Sequence, residues 1–183
     1  MMRSRPKLRR LPATFVAGFG SLLFVAGVFA QQNLALHQPV ASSGANWGSF
    51  KPAALTDGDP ATFTHPAAAS GTTDFYYEVD LGADRRLERI VLRNRQDGCC
   101  TERLSRIRVE VWSDAGGGAG RKAWSALVRG DGSDSGVGGT DTLLAELDPV
   151  GDFAGRFVRV VNTSGAPYNP QLAEIEVYGG SAP

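Results

Sequence analysis

The segment Ile107-Arg-Val-Glu-Val-Trp112 decides the fold class, because its apolar and charged residues alternate strictly. Successive side chains of a β-strand point to opposite faces of a sheet. The isoleucine and the two valines would therefore point into a core, while Arg108 and Glu110 would face water. The segment is predicted to be a strand with one buried and one solvated face.

Six further runs of β-forming residues occur along the chain, and turn residues separate them. They are Phe75–Leu81, Leu87–Arg93, Trp124–Val128, Thr142–Leu147, Phe157–Val161 and Ala173–Tyr178. No segment of useful length shows the 3.6-residue period of a helix. The sequence therefore predicts an all-β fold, an antiparallel jelly-roll β-sandwich.

The formal neutrality of the chain hides two unlike parts. The 183 residues include 19 basic and 19 acidic side chains, but residues 1–30 hold 5 of the basic ones and no acidic one. Residues 31–183 are left with 14 basic and 19 acidic groups, a formal charge of −5. A nucleic-acid-binding domain typically concentrates basic residues, so we expect no nucleic-acid partner.

Residues 1–30 have the pattern of a secretory signal peptide. A basic head precedes the uncharged stretch Leu11–Phe29, and Val28-Phe29-Ala30 suits a signal peptidase. The alternative is an uncleaved membrane anchor, since about 20 apolar residues can span a bilayer. We expect cleavage after Ala30, no stable membrane insertion afterwards, and a secreted, periplasmic or cell-surface location.

The length of residues 31–183 suits a single domain. The stretch near 113–141 is rich in glycine, and we interpret it as an insertion that forms a flexible hairpin.

A turn rich in oxygen ligands follows the N-terminal part of this domain. In Pro52–Phe63, Asp57 and Asp59 flank Gly58, and the hydroxyl of Thr62 follows. Ca²⁺ prefers hard oxygen ligands on such a turn. The alternative is an ordinary turn, because Asp-Gly-Asp-Pro is common turn chemistry.

The segment between two predicted strands, Arg93–Arg103, contains both cysteines of the chain. Cys99 and Cys100 can form a vicinal disulfide in an oxidising compartment, and that ring would present an apolar face to a sugar. Arg95 and Arg103 offer forked donors to hydroxyl groups, and Asp97 can hold a guanidinium in place. The alternative is a surface salt-bridge cluster beside a structural or free thiol pair.

No catalytic set can be assembled from the sequence. The chain has two histidines without a plausible nucleophile partner, and it lacks a G-x-S-x-G elbow and a transition-metal ligand cluster. We therefore expect a protein that is not an enzyme.

Several segments together resemble the discoidin-like (coagulation-factor C-type, galactose-binding-like) superfamily, and more narrowly its fucose-binding F-type lectin branch. The segments that carry the resemblance are Asn33–Ser43, Ala54–Asp59, Tyr77–Gly82 and Ala173–Tyr178. The resemblance covers about residues 33–179 and implies a jelly roll with a structural Ca²⁺. The implied ligands are the Ala54 and Ala173 carbonyls and the side chains of Asp57, Asp59, Thr62 and Glu174.

The F-type lectin signature is a histidine, a variable gap, and then Arg-x-Asp-x4-Arg or Lys around a Cys-Cys pair. Arg95, Asp97, Cys99, Cys100 and Arg103 resemble it, although Gly98 lengthens the last gap to five residues. His65 is the candidate for the sugar-binding histidine; in the alternative alignment Ser70 takes that place.

The resemblance implies a non-catalytic, carbohydrate-binding domain for fucose or a related galactose-like sugar. Shallow sites bind weakly, so avidity would come from homo-oligomers or clustered glycans. The alternative is an adhesion module of the same fold that binds protein or lipid without sugar specificity.

Overall fold

Seven antiparallel strands form the domain in the part of the chain that the structure describes. That structure is a computed structural model, and it describes residues 31–67, 74–114, 120–144, 153–163, 166 and 168–180. The strands are β1 Val40–Ser42, β2 Tyr76–Arg93, β3 Ile107–Ser113, β4 Arg121–Val128, β5 Thr140–Leu144, β6 Ala154–Asn162 and β7 Glu174–Gly179. Two 3₁₀ turns, Pro52–Thr56 and Thr101–Leu104, lie between them. The predicted all-β, antiparallel fold is confirmed.

The long strand β2 belongs to both layers of the sandwich. Its first half lies in the layer β1-β2-β6-β3-β4, and its second half pairs with β5 on one side and β7 on the other. The pairing of β2 with β6 shifts register between Asp80 and Arg85 and ends at Arg86, and its pairing with β7 begins at Leu87. The sequence predicts two separate strands here, because Gly82 and its neighbours interrupt the run of β-forming residues; the structure joins them in one strand with a bend.

Alternating residues of these strands form the core between the layers. From the first layer come Tyr77 and Val79 of β2, the predicted inward residues of β3, and Val158 and Val160 of β6; Ile90, Leu92, Ile175 and Val177 come from the second. All of these residues are buried. The other face of β3 carries an ion pair between Arg108 and Glu110. Glu110 is buried, not solvated as the alternation predicts, because Arg108, Lys122 and the indole N–H of Trp112 surround its carboxylate.

The loops that carry the candidate site residues gather at one end of the sandwich. Tyr76, at the start of β2, pairs with the end of β6, whereas Arg93, at the end of β2, pairs with the first residue of β7. One connection, residues 163–173, leads from the end of β6 to the start of β7. Both ends of β2 therefore lie at the same end of the domain, together with residues 43–67, 74–75, 94–106 and 129–139.

The glycine-rich stretch near 113–141 contributes to the sheet. Its central part is β4, which pairs with β3 and places Val128 in the core. Gly132, Gly136 and Gly138 have positive φ angles of 86°, 75° and 63°, a backbone region that glycine enters without steric cost. Residues 115–119 lie outside the described part.

The predicted signal peptide, residues 1–30, also lies outside the described residues, so its cleavage stays a prediction. In the described part of the chain, no helix has the length and apolar character needed to cross a bilayer.

Candidate functional site

Arg95 is a buried charge at the end of the sandwich that carries the loops. Only 6% of its side chain is exposed, against 38% for its ion-pair partner Asp97. Its Nε donates to Asp97 Oδ1 at 2.8 Å and its Nη2 to Asp97 Oδ2, while Nη1 donates to Gln171 Oε1. The guanidinium also lies over the ring of Phe63, 4.0 Å from the centroid. Arg95 therefore joins three segments that are distant in sequence.

This arrangement fixes the ionisation of Asp97. The hydrogen bond from Arg95 holds the pKa of the Asp97 carboxyl below its ordinary value, and the backbone N–H of Cys99 adds to the effect. Asp97 is therefore an exposed, ionised acceptor whose position is set by Arg95.

Backbone hydrogen bonds hold the loop of residues 94–106 against the glycine-containing loop of residues 129–139. The N–H of Asn94 donates to the Gly139 carbonyl at 2.8 Å, and the N–H of Gly138 donates to the Arg95 carbonyl at 2.9 Å. The buried side chain of Asn94 donates to the Thr101 carbonyl at 2.8 Å. The loop after β4 therefore packs against the segment that carries Arg95 and helps to hold it in place.

Cys99 and Cys100 are joined by a disulfide bond beside Arg103. Gly98, the extra residue in the signature, has a φ of 80°, and Cys100 has a φ of 61°. The carbonyl of Cys100 accepts a hydrogen bond from the N–H of Arg103 at 3.1 Å, at the start of the second 3₁₀ turn. The left-handed backbone accommodates the added residue and keeps Arg103 next to the ring.

The Arg103 side chain has free hydrogen-bonding capacity. Its guanidinium lies 4.9 Å from the centroid of the Tyr168 ring, and Tyr168 is 37% exposed. Its Nε is buried and has no hydrogen-bond partner among the described residues. A cation over an aromatic face is stabilised by about 0.5–2 kcal/mol, which positions this group without using its donors.

His65 lies in an aromatic cluster that leads to Arg95. Its ring centroid is 5.8 Å from Trp47 and 5.6 Å from Phe50, and Phe50 in turn is 4.8 Å from Phe63. Nδ1 of His65 is 2.8 Å from the Pro66 carbonyl oxygen. Trp47 is 60% exposed. The structure thus links His65 to Arg95 through two phenyl rings, while the alternative residue, Ser70, lies outside the described part.

The turn at residues 57–62 is closed by its own polar groups. Asp57 Oδ1 accepts the N–H of Asp59 at 2.8 Å, and Asp57 Oδ2 accepts the hydroxyl of Thr62 at 2.8 Å. The side chain of Asp59 accepts the N–H of Ala61 at 3.0 Å. The 3₁₀ turn that contains Ala54 packs against β7, which begins at Glu174. The two parts of the candidate ligand set therefore meet.

Glu174 is the buried carboxylate of this set. Neither of its oxygens has a hydrogen-bond partner among the described residues that meets normal geometry. Burial and the neighbouring Asp57 carboxyl raise the pKa of Glu174 to about 8. No group of three or more His, Cys, Asp or Glu side chains within the described ranges is arranged to hold a metal ion. A cation here would need the carbonyl and hydroxyl oxygens of the proposed set as ligands in addition to the carboxylates.

Gln171 is the site residue that the sequence analysis misses. It is buried and accepts a hydrogen bond from Arg95, although it is 76 positions away in sequence. Glutamine between a proline and an apolar strand carries no local signal of this role. Only the pairing of β2 with β7 brings the two residues together.

A family model described as a NedA-like, galactose-binding domain, of the F5/F8 type C group, matches residues 54–160. The chain belongs to this family. The resemblance to the discoidin-like superfamily is therefore confirmed. A search among curated proteins found no match.

Solved structures similar to this galactose-binding-like domain include fucose-binding modules and a fucolectin from striped bass, as the narrower resemblance predicts. A fucose binding module from Streptococcus pneumoniae is 20% identical, with a TM-score of 0.63 over 82% of this chain and 99% of that one. The lectin domain of Lectinolysin, solved with Lewis B antigen, is 19% identical, with a TM-score of 0.63 over 82% of this chain and 98% of that domain. Chitosan-binding module 1 from a chitosanase/glucanase of Paenibacillus sp. IK-5 is 25% identical, with a TM-score of 0.55 over 81% and 99%.

The substitution Gln171→Leu tests the hydrogen bond that holds Arg95. It removes the acceptor of Nη1 and leaves a buried donor unpaired, so we expect the free energy of unfolding to fall by about 1–3 kcal/mol in urea denaturation. Gln171→Glu keeps an acceptor and should unfold closer to the wild type. Gln96→Leu makes the same chemical change at an exposed position and serves as the control. Equal midpoints for the two leucine variants would contradict this role of Gln171.

Proposed function

We propose that residues 31–183 form a secreted, non-catalytic carbohydrate-binding module for fucose or a related galactose-like terminal sugar. The family and the similar structures support this proposal, because those structures include a fucose binding module, a lectin domain in complex with Lewis B antigen and a chitosan-binding module. Fold alone does not determine function; the groups at the loop end of the domain would determine which ligand binds.

The observation that carries the proposal is the Arg103 guanidinium, which has no hydrogen-bond or ion-pair partner among the described residues. Its guanidinium lies on an aromatic ring and has no carboxylate partner among the described residues, and its backbone N–H donates to the carbonyl of Cys100 in the disulfide. A sugar needs forked donors for neighbouring hydroxyl groups and an apolar surface for its C–H face. Arg103 supplies the former, and the exposed Cys99 side of the disulfide ring supplies the latter.

Arg95 has a different part in the same site. Each of its three nitrogens already donates to Asp97 or Gln171, so its main role in the proposed site is to hold the Asp97 carboxylate at the surface. The ionised Asp97 then accepts hydrogen bonds from sugar hydroxyl groups. His65 lies on the far side of the Phe50 and Phe63 rings and would contact a ligand that extends beyond the terminal sugar.

Arg103→Ala tests this function on a glycan array. Loss of a charged donor at the centre of the site is expected to lower affinity for fucosylated glycans by about tenfold or more. Arg121→Ala, at the far end of the β3–β4 hairpin, removes an exposed arginine of the same type and should bind like the wild type. Wild-type protein that binds no glycan but retains a protein or anionic lipid ligand would contradict the proposal.

We further propose that a structural Ca²⁺ bridges the 57–62 turn and the start of β7. The donors would be the side chains of Asp57, Asp59, Thr62 and Glu174 with the Ala54 and Ala173 carbonyls. The unpartnered, buried Glu174 oxygens facing a second carboxyl support this site, since a cation removes the repulsion between two such groups. The ion would tie the turn to the terminal strand.

Thermal unfolding with and without a chelator tests the cation site. A ligand that binds only the native state raises the melting temperature, and we expect a rise of about 5 °C or more in millimolar Ca²⁺ relative to EDTA. Glu174→Gln should abolish this response, while Glu88→Gln, at an exposed position on β2, should keep it. A wild-type melting temperature that does not depend on Ca²⁺ would contradict the site.

A further inference from the structure

The strand β4 leaves one edge of the first layer without a partner. It is the last strand in the order β1-β2-β6-β3-β4, and among the described residues it pairs only with β3. Such an edge presents a row of backbone N–H and C=O groups to which another strand can add. With eight residues, Arg121–Val128, β4 is long enough for a ladder of hydrogen bonds.

Two other sheet edges are protected, whereas most of β4 is not. β1, at the opposite edge of the first layer, has only three residues, and the free side of β7 is covered by Asn33 and Leu34. Charged residues, proline and bulges also protect edges. β4 has a basic pair and a register shift at its start, but residues 123–128 contain no charge and no proline. The second half of β4 is therefore open to strand addition.

This half of β4 also has apolar surface to cover. Leu127 is 61% exposed, on the face of the sheet that points away from the core, where it lies opposite Arg108 of β3. On the core side, Trp124 is only partly buried against Phe153, with ring centroids 4.6 Å apart. A strand added to this edge would remove part of both side chains from water, which favours the addition.

We propose that β4 pairs with β4 of a second copy of this chain, in antiparallel register about Ala126. Ser125 of each copy then lies opposite Leu127 of the other, and Trp124 lies opposite Val128. The two leucines become diagonal neighbours on the outer face, a distance that long side chains can span. The same patch serves both copies, so the interface closes after two copies and exposes no further edge of β4.

Charge complementarity selects this register. Continued beyond the ladder, the pairing brings Arg121 of one copy beside Asp131 of the other, and both side chains are exposed. The symmetry of the dimer repeats this ion pair at the other end of the ladder. A register centred on Ser125 would instead place Arg121 opposite Arg129, and like charges that lie opposite each other are unfavourable.

The pairing directs the loop ends of the two copies away from each other. β4 runs toward the loop end, since Val128 leads into residues 129–139, and an antiparallel partner runs the opposite way. If the proposed carbohydrate-binding function holds, the dimer would bridge two glycan-bearing surfaces. Pairing of β4 needs no sugar, so the dimer and the proposed function are tested by separate measurements.

Sedimentation velocity over a concentration series of about 1–200 μM tests the pairing in the absence of any glycan. Two short strands bury little surface, so we expect a monomer–dimer equilibrium with a dissociation constant on the order of 10 μM. Leu127→Lys places a charge on the edge and should raise this constant about tenfold or more. Val137→Lys, at a valine that is 58% exposed outside β4, is the matched control and should dimerise as the wild type does. Melting temperatures verify that both variants fold.

A charge exchange tests the register. Asp131→Arg places like charges at both ends of the ladder and should weaken the dimer about threefold or more. Arg121→Asp combined with Asp131→Arg restores opposite charges and should return the dissociation constant to the wild-type value. A wild type that stays monomeric throughout the series, or a dimer that Leu127→Lys does not weaken, would overturn the interface. A double variant as weak as Asp131→Arg alone would overturn the register about Ala126.

Discussion

The buried guanidinium of Arg95 is the constraint on which the loop end of the domain depends. A charge that is removed from water is costly unless it is paired and fully hydrogen-bonded. Arg95 meets this condition with Asp97 from its own loop, Gln171 from the segment before β7, and the ring of Phe63 from the loop before β2. These three segments must therefore take their places together, because displacing any one of them leaves a buried charge without a partner.

Glu174 is a buried carboxyl group that has no such cationic partner. It lies three residues after Gln171, and its oxygens face Asp57 rather than a cationic side chain. The Arg95 site and the Glu174 site share one segment of the chain, residues 171–174. Thr64 holds this segment, because both its N–H and its hydroxyl donate to the carbonyl of Leu172. A cation at Glu174 would therefore also stabilise the segment that holds Arg95. This gives the proposed Ca²⁺ an indirect influence on the sugar site without any contact with the ligand.

The alternation in β3 predicts its core-facing residues correctly, because burial of one face imposes that pattern on a strand. It does not predict that ion pairs bury Glu110 on the opposite face. The continuity of β2 is not predictable, since its bend at Gly82 interrupts the pattern in the same way as a loop. The Arg95–Asp97 pair follows from spacing, because the two residues lie on the same short loop. The contacts with Gln171 and Phe63 depend on the packing of distant segments. No local pattern encodes them.

A crystal structure of residues 31–183 grown with CaCl₂ and methyl α-L-fucoside would test the account most directly. The account predicts a sugar hydrogen-bonded to Arg103 and Asp97 with its apolar face on the Cys99–Cys100 ring. Arg95 should remain over Phe63 and bonded to Gln171. A sugar bound away from these residues, or an Arg95 side chain that leaves Gln171 to reach the sugar, would contradict the central claim that a buried arginine organises the site and leaves recognition to its neighbours.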